Sequence, residues 1–162
     1  MFKTFKIITI AYFFIFTFTG LVYSQEVTVK VDPMTDKMLI VMPAHESKLI
    51  SGEGDLLVGF SSLGDNQNVM HIVSVKTERG SQSSAQVRID KEEAEFFLCD
   101  IRDVEVLSGV FIHHCFIFVD MEFVNSIISS DRTLVRFNGL LGELKQDNVK
   151  TWKEKVIELK GE

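Results

Sequence analysis

No C-x-x-C pair, no H-x-x-x-H pair, no Walker loop and no N-x-S/T sequon occurs in this chain. A structural zinc site draws its four ligands from such local pairs, so a metal centre would have to be assembled from residues distant in sequence. The missing Walker loop removes the phosphate cradle of the P-loop proteins. Basic residues are short as well: 17 lysines and arginines stand against 23 acids, a formal net charge of −6. Nucleic-acid binders present basic faces and anionic lipid recruits basic clusters, so the balance argues against both kinds of partner. Only two prolines, Pro33 and Pro43, punctuate the chain, and there are neither repeats nor long low-complexity tracts.

What is present begins with the N-terminus. Lys3 and Lys6 precede an uncharged run from Ile7 to Tyr23, and the small residue Ser24 follows. That order, a basic stretch, an apolar stretch and a permissive cleavage site, predicts a secretory signal over 1–24. The uncharged run is 17 residues and includes threonines, a glycine and a tyrosine, which is at the lower limit for spanning about 30 Å of hydrocarbon. The expectation is cleavage after Ser24 and no stable membrane anchor. Removing two lysines leaves 25–162, a net charge of −8 over 138 residues, enough for one globular domain with a core of its own.

The first two thirds of that domain read as strands. EVTVKV (26–31) alternates valine with polar residues, the period-two pattern of a sheet with one wet face. KMLIVM (37–42) is apolar throughout and is expected to stop at Pro43. LLVGF (56–60), VMHIVSVKTE (69–78) and AQVRID (85–90) follow, separated by turns at SGEGD (51–55), SSLGDNQN (61–68) and RGSQSS (79–84). Around Lys91-Glu92 the chain fits a hairpin better than a short helix, because a helix places Phe96 and Phe97 on different faces. DVEVL is expected to pair with VFIHHCFIFV across Ser108-Gly109. Asp120 then caps a helix with the stripe Phe123, Val124, Ile127 and Ile128. TLVRFN and LLGELKQ form another strand pair, and Val149, Trp152, Val156 and Leu159 mark a final helix capped by Asp147 or Asn148. Strands without regular helical alternation exclude a doubly wound sheet. The expected fold is α+β, a twisted, mostly antiparallel sheet with two C-terminal helices packed on one face.

The triplet His113-His114-Cys115 in GVFIHHCFIFVD (109–120) is the one concentration of reactive side chains. Alternation in a strand puts His113 with Cys115 on one face and His114 on the other, so the histidines cannot share an ion. His45 and His71 are the remaining partners for a metal site with His113, and they are scattered; no metal and no cofactor is expected. A Cys115 nucleophile would need an electropositive, exposed setting, which its apolar neighbours oppose. Export to an oxidising compartment and an even cysteine count favour a Cys99–Cys115 disulfide instead. A Ser108-Gly109 turn would place Cys115 opposite Arg102, so the bridge requires an irregularity in the segment before it.

Other motifs stop short. GFSSLG (59–64) has its second glycine one place too late for a nucleophile elbow, and His45-Glu46 starts an H-E-x-x-H pattern that ends at Leu49. No catalytic residue is assigned. The reading is an exported domain, periplasmic or extracellular, that binds a protein or envelope component, with the edge strand 26–31 and the stretches 43–55 and 61–68 as places for contact. Two alternatives are carried with it. One is an acidic inhibitor or immunity-type protein of a basic enzyme; the other is a small hydrolase or metalloenzyme built on His113 or His45. Ligand, oligomeric state and host are not encoded in any motif.

Overall fold

The computed structural model describes residues 26–31, 38–63, 67–77, 84–99, 102–107 and 109–160. The leader expected at 1–24, Pro33 and most of the RGSQSS stretch lie outside them. In chain order the described elements are β1 (Thr28–Val31), β2 (Met38–Glu46), β3 (Lys48–Ser51), β4 (Asp55–Leu63), β5 (Gln67–Lys76), β6 (Ser84–Ile89), β7 (Glu95–Leu98), β8 (Arg102–Leu107) and β9 (Val110–Val119). They continue with α1 (Met121–Ser129), β10 (Thr133–Phe137), β11 (Leu140–Glu143) and α2 (Gln146–Lys160).

The fold is α+β and its sheets are antiparallel, with both helices near the C-terminus. The strands divide into two sheets rather than the single one expected. A six-stranded sheet runs β1-β2-β4-β5-β9-β8 and a five-stranded sheet runs β3-β11-β10-β6-β7. The reason is coverage. Alternation gives the large sheet an apolar face carrying Ile40, Met42, Val58, Phe60, Met70, Ile72 and Ile117, all buried. The helix α2 lies over β2 and β4, and the rest of the face is closed by Val87, Val135, Phe137 and Leu140 of the small sheet within the same core cluster.

Trp152 fixes α2 to the large sheet: its indole is fully buried, its ring centroid lies 5.5 Å from that of Phe60, and Nε1 donates to the Ile40 carbonyl at 3.2 Å. Val149 and Val156, one turn either side, are buried on the same face, as the helical spacing requires. The helix begins at Gln146, so Asp147 lies in its first turn rather than capping it. Asp120 does cap α1, accepting from the Phe123 amide at 2.7 Å, and Val124 and Ile127 are the buried members of its stripe. No helix among the described residues is long and apolar enough to cross a membrane.

Pro43 does not end β2. The strand continues to Glu46 because its register against β4 slips between Met42 and His45, and such a bulge accommodates a residue with no amide proton to give the ladder. Gly59 sits where the bulge approaches β4. A Cβ there would stand 2.9 Å from the Met42 carbonyl oxygen and 3.0 Å from the Ala44 nitrogen, so only glycine lets the backbones come this close. The stretch 43–55 is therefore mostly strand, β3 included, and not an extended binding loop. β4 runs to Leu63 and β5 begins at Gln67, so most of 61–68, expected to loop, is strand; 64–66 lie outside the described residues.

The remaining pairings follow the sequence pattern closely. β6 and β7 form the expected hairpin, and β8 turns into β9 with Leu107 opposite Val110. Between β10 and β11 the turn is Asn138-Gly139, with φ of 51° and 78°, the left-handed pair that a two-residue I′ hairpin turn demands. Asn138 also ties the sheets together: its Nδ2 donates to Ser74 Oγ at 3.2 Å, and Lys76 Nζ donates to its carbonyl at 3.2 Å.

Candidate functional site

The histidine-cysteine triplet is split by the sheet, as alternation requires. His113 and Cys115 point into the core, where both are buried, while His114 points to the opposite face. Cys115 is bonded to Cys99, with Cα atoms 5.0 Å apart. The geometry differs from the expected one in register. A slip between Glu105 and Leu107 sets Arg102 opposite His114 instead of Cys115. Cys99 does not belong to the strand beside β9 at all; it follows β7, so the disulfide joins the two sheets. A bridged sulfur is no nucleophile. His113 faces Ser74 across the β5–β9 pair with the Phe111 ring 6.3 Å away, a core position and not an open one.

His114 has a partner that local sequence does not reveal. Val73 lies opposite His114 and His71 lies opposite Phe116, so the two imidazoles are diagonal neighbours on one face of adjacent strands, within reach of each other. Their Nε2 and Nδ1 atoms are 3.0 Å apart, and His71 stacks on Phe116 with centroids 4.3 Å apart. One ring donates and the other accepts, which requires at least one neutral imidazole. Burial, then the charge of His114, holds His71 well below the ordinary histidine range. Burial, then the charge of His113, lowers His114 to about 4.

These shifts carry a sign for stability. As pH falls below about 6.5 the unfolded chain takes up protons that the folded pair refuses, so stability drops through the window from 6.5 toward 4 and is complete above it. His114 alone should account for about 2 kcal/mol lost between pH 7 and pH 5. Urea midpoints across that range check it: wild type should lose stability more steeply than His114→Gln, and parallel curves would refute the assignment.

Neither imidazole pair nor triplet gathers further ligands. Among the described residues no three His, Cys, Asp or Glu side chains converge on a point that could hold a metal ion. His45 stands apart from the other three, in a cleft of about 430 Å³ between Glu26–Val27 and α2. Glu26, Asn148, Glu154, Lys155 and Glu158 line it as well. The pKa of His45 is lowered from the ordinary histidine value, by burial first and by the charge of Lys145 second.

The cleft lies at the start of β1, and β1 is a margin of the large sheet: among the described residues it pairs with β2 alone. Val29 lies opposite Ile40 and Val31 opposite Met38, so the alternating valines share the face on which α2 packs. They project past the helix, though, and are 41% and 60% exposed. Val27, before them, packs on the core and lines the cleft. At one margin of the small sheet, β7 exposes Phe96 and Leu98 at 72% and 88%. The chain matches no family model, no curated protein and no solved structure.

Proposed function

We propose that residues 1–24 direct export to the periplasm or the extracellular space, and that the remaining domain is a non-catalytic binding module that docks a protein or envelope component along β1. The observation that carries the reading is the β1 edge, paired among the described residues with β2 alone, with two exposed valines beside an adjoining cleft. A sheet margin of that kind offers its backbone to a partner strand and its alternate side chains as a selective surface. Export is supported by the basic and apolar order of the leader and by the Cys99–Cys115 bridge, which suits an oxidising compartment. An inhibitor or immunity-type role is the narrower form of the same reading, favoured by the carboxylates in the cleft. A hydrolase built on His113 or His45 lacks comparable support, since His113 is enclosed in the core and, among the described residues, no three His, Cys, Asp or Glu side chains gather to hold a metal.

Two measurements on the producing cell test this. Intact mass of the exported protein should correspond to a chain beginning at Gln25, and retention of Met1 would sink the export step. A photo-crosslinking amino acid placed at Val31, Phe96 or Phe118, each exposed, should give a discrete protein adduct at Val31. Absence of an adduct from all three positions would sink the binding module.

A further inference from the structure

We infer that His71 and His114 together hold a copper(I) ion, in line between Nε2 of the first and Nδ1 of the second, on the face of the large sheet turned away from the helices. The geometry of the pair leads there. Its ring centroids are 5.2 Å apart and its bonded nitrogens 3.0 Å apart. The difference matches the two imidazole radii, so the nitrogens meet head-on rather than side by side, and with 11° between their planes the rings are close to coplanar. Lone pairs on the two nitrogens then point along one line, the arrangement required by an ion with two ligands on opposite sides. Phe116 supports it: the ring lies within 6° of parallel to both imidazoles and stacks on His71 with centroids 4.3 Å apart. Metal–imidazole bonds of about 2 Å would set the nitrogens about 4 Å apart, so the rings have to part by about 1 Å. His71 is buried and His114 half-buried, which makes His114 the ring that slides outward, in its own plane and along the line.

Donor number and charge select the ion. Among the described residues no third His, Cys, Asp or Glu side chain joins the pair to make a metal-holding group, whereas structural zinc takes four ligands and calcium six or more oxygens. Copper(I), a soft closed-shell ion, is satisfied by two imidazoles in line. Burial selects in the same direction. Desolvation holds His71 well below the ordinary histidine range and His114 at about 4, so both rings are neutral at pH 7 and able to act as ligands. The same desolvation penalises a doubly charged ion far more than a singly charged one. The ion takes the place of the proton now lying between the rings; that proton passes to the far nitrogen of the ring that carried it, both imidazoles stay neutral, and no electron is transferred. The pair sits on β5 and β9, inside the sheet and away from β1, so this site stands or falls separately from the docking edge.

Anaerobic titration of the purified protein with copper(I), in competition with bicinchoninate, tests it. Wild type should take up a single copper(I) per chain, and X-ray absorption should show the pre-edge peak of linear, two-coordinate copper(I) with nitrogen neighbours. Silver(I), which has the same preference and no accessible redox step, should raise the melting temperature of wild type and leave that of His114→Gln unmoved. His71→Gln and His114→Gln should each bind copper(I) at least about a hundredfold more weakly, removal of a ligand costing no less than removal of its support. His114→Gln is the variant to read where His71→Gln does not fold, with circular dichroism matching wild type as its control, and the absorption spectrum of wild type decides independently of both. Copper(I) affinity equal in wild type and His114→Gln, a three- or four-coordinate or sulfur-bound spectrum, or a silver(I) shift that persists in His114→Gln would each overturn the inference.

Discussion

Trp152→Ala is expected to cost about 4 kcal/mol, the largest loss from any single truncation in this chain. The indole is fully buried, its ring meets Phe60 at 5.5 Å, and its nitrogen supplies a hydrogen bond to the Ile40 carbonyl. Truncation would open a cavity between α2 and β2 and leave a buried acceptor without its donor, two penalties that add. Trp152→Phe separates them: most of the volume returns, and the loss should shrink to about 1–2 kcal/mol, chiefly the hydrogen bond. Urea unfolding followed by far-ultraviolet circular dichroism measures both variants, because the only tryptophan of the chain is the residue removed. A loss under about 1 kcal/mol for Trp152→Ala would mean that α2 is not held at this point. The consequence reaches the cleft, which α2 lines: the alanine variant should also lower the crosslinking yield at Val31, and the phenylalanine variant should not.

Trp152 was visible in advance, and the reason is general to this chain. Its place in the stripe Val149, Trp152, Val156 follows from helical spacing alone, just as the burial of Thr133, Val135 and Phe137 on one side of β10 follows from period two. Patterns of this kind are local, so they survive without knowledge of neighbours. The division into two sheets is not local. β3 is exposed at all four positions and carries no alternation to mark it as a strand, and only its pairing with β11 makes it one. Pro43 misled for the same reason, since the bulge that admits it depends on Gly59 in another strand.

The site shows the same limit more sharply. Opposite faces for His113 and His114 came from alternation, but the partner of His114 came from the β5–β9 register, which sets His71 diagonal to it from 43 residues away. The cleft gathers the segments around Glu26, His45 and Glu154, which no motif links. The acid excess was plain in the composition; its local concentration beside the one strand already suspected as an edge needed the path of α2. The signal that would have found it is the pair Glu154 and Glu158, four residues apart on one face of a helix whose other face is apolar.

Removing the disulfide by Cys99→Ala with Cys115→Ala is expected to cost about 3 kcal/mol and to lower the melting temperature by roughly 10 °C. The bridge closes a sequence separation of 16, and most of its contribution comes from restricting the unfolded chain, with the vacated volume at the buried Cys115 adding a little. Reductant should bring wild type down to the double variant and leave the variant itself unmoved. If melting temperatures with and without the bridge agree within about 2 °C, the link adds nothing. The loss should also be uneven across the fold. Cys99 holds the end of β7, the outermost strand of the small sheet, to β9 in the large one, so amide exchange at Phe96–Leu98 should accelerate while the β4–β5 pair stays protected. β1 lies at the opposite margin of the large sheet from β9 and β8. Crosslinking at Val31 should therefore be the same in the reduced protein below its melting point, and that independence distinguishes a staple for the whole domain from a brace for the docking edge.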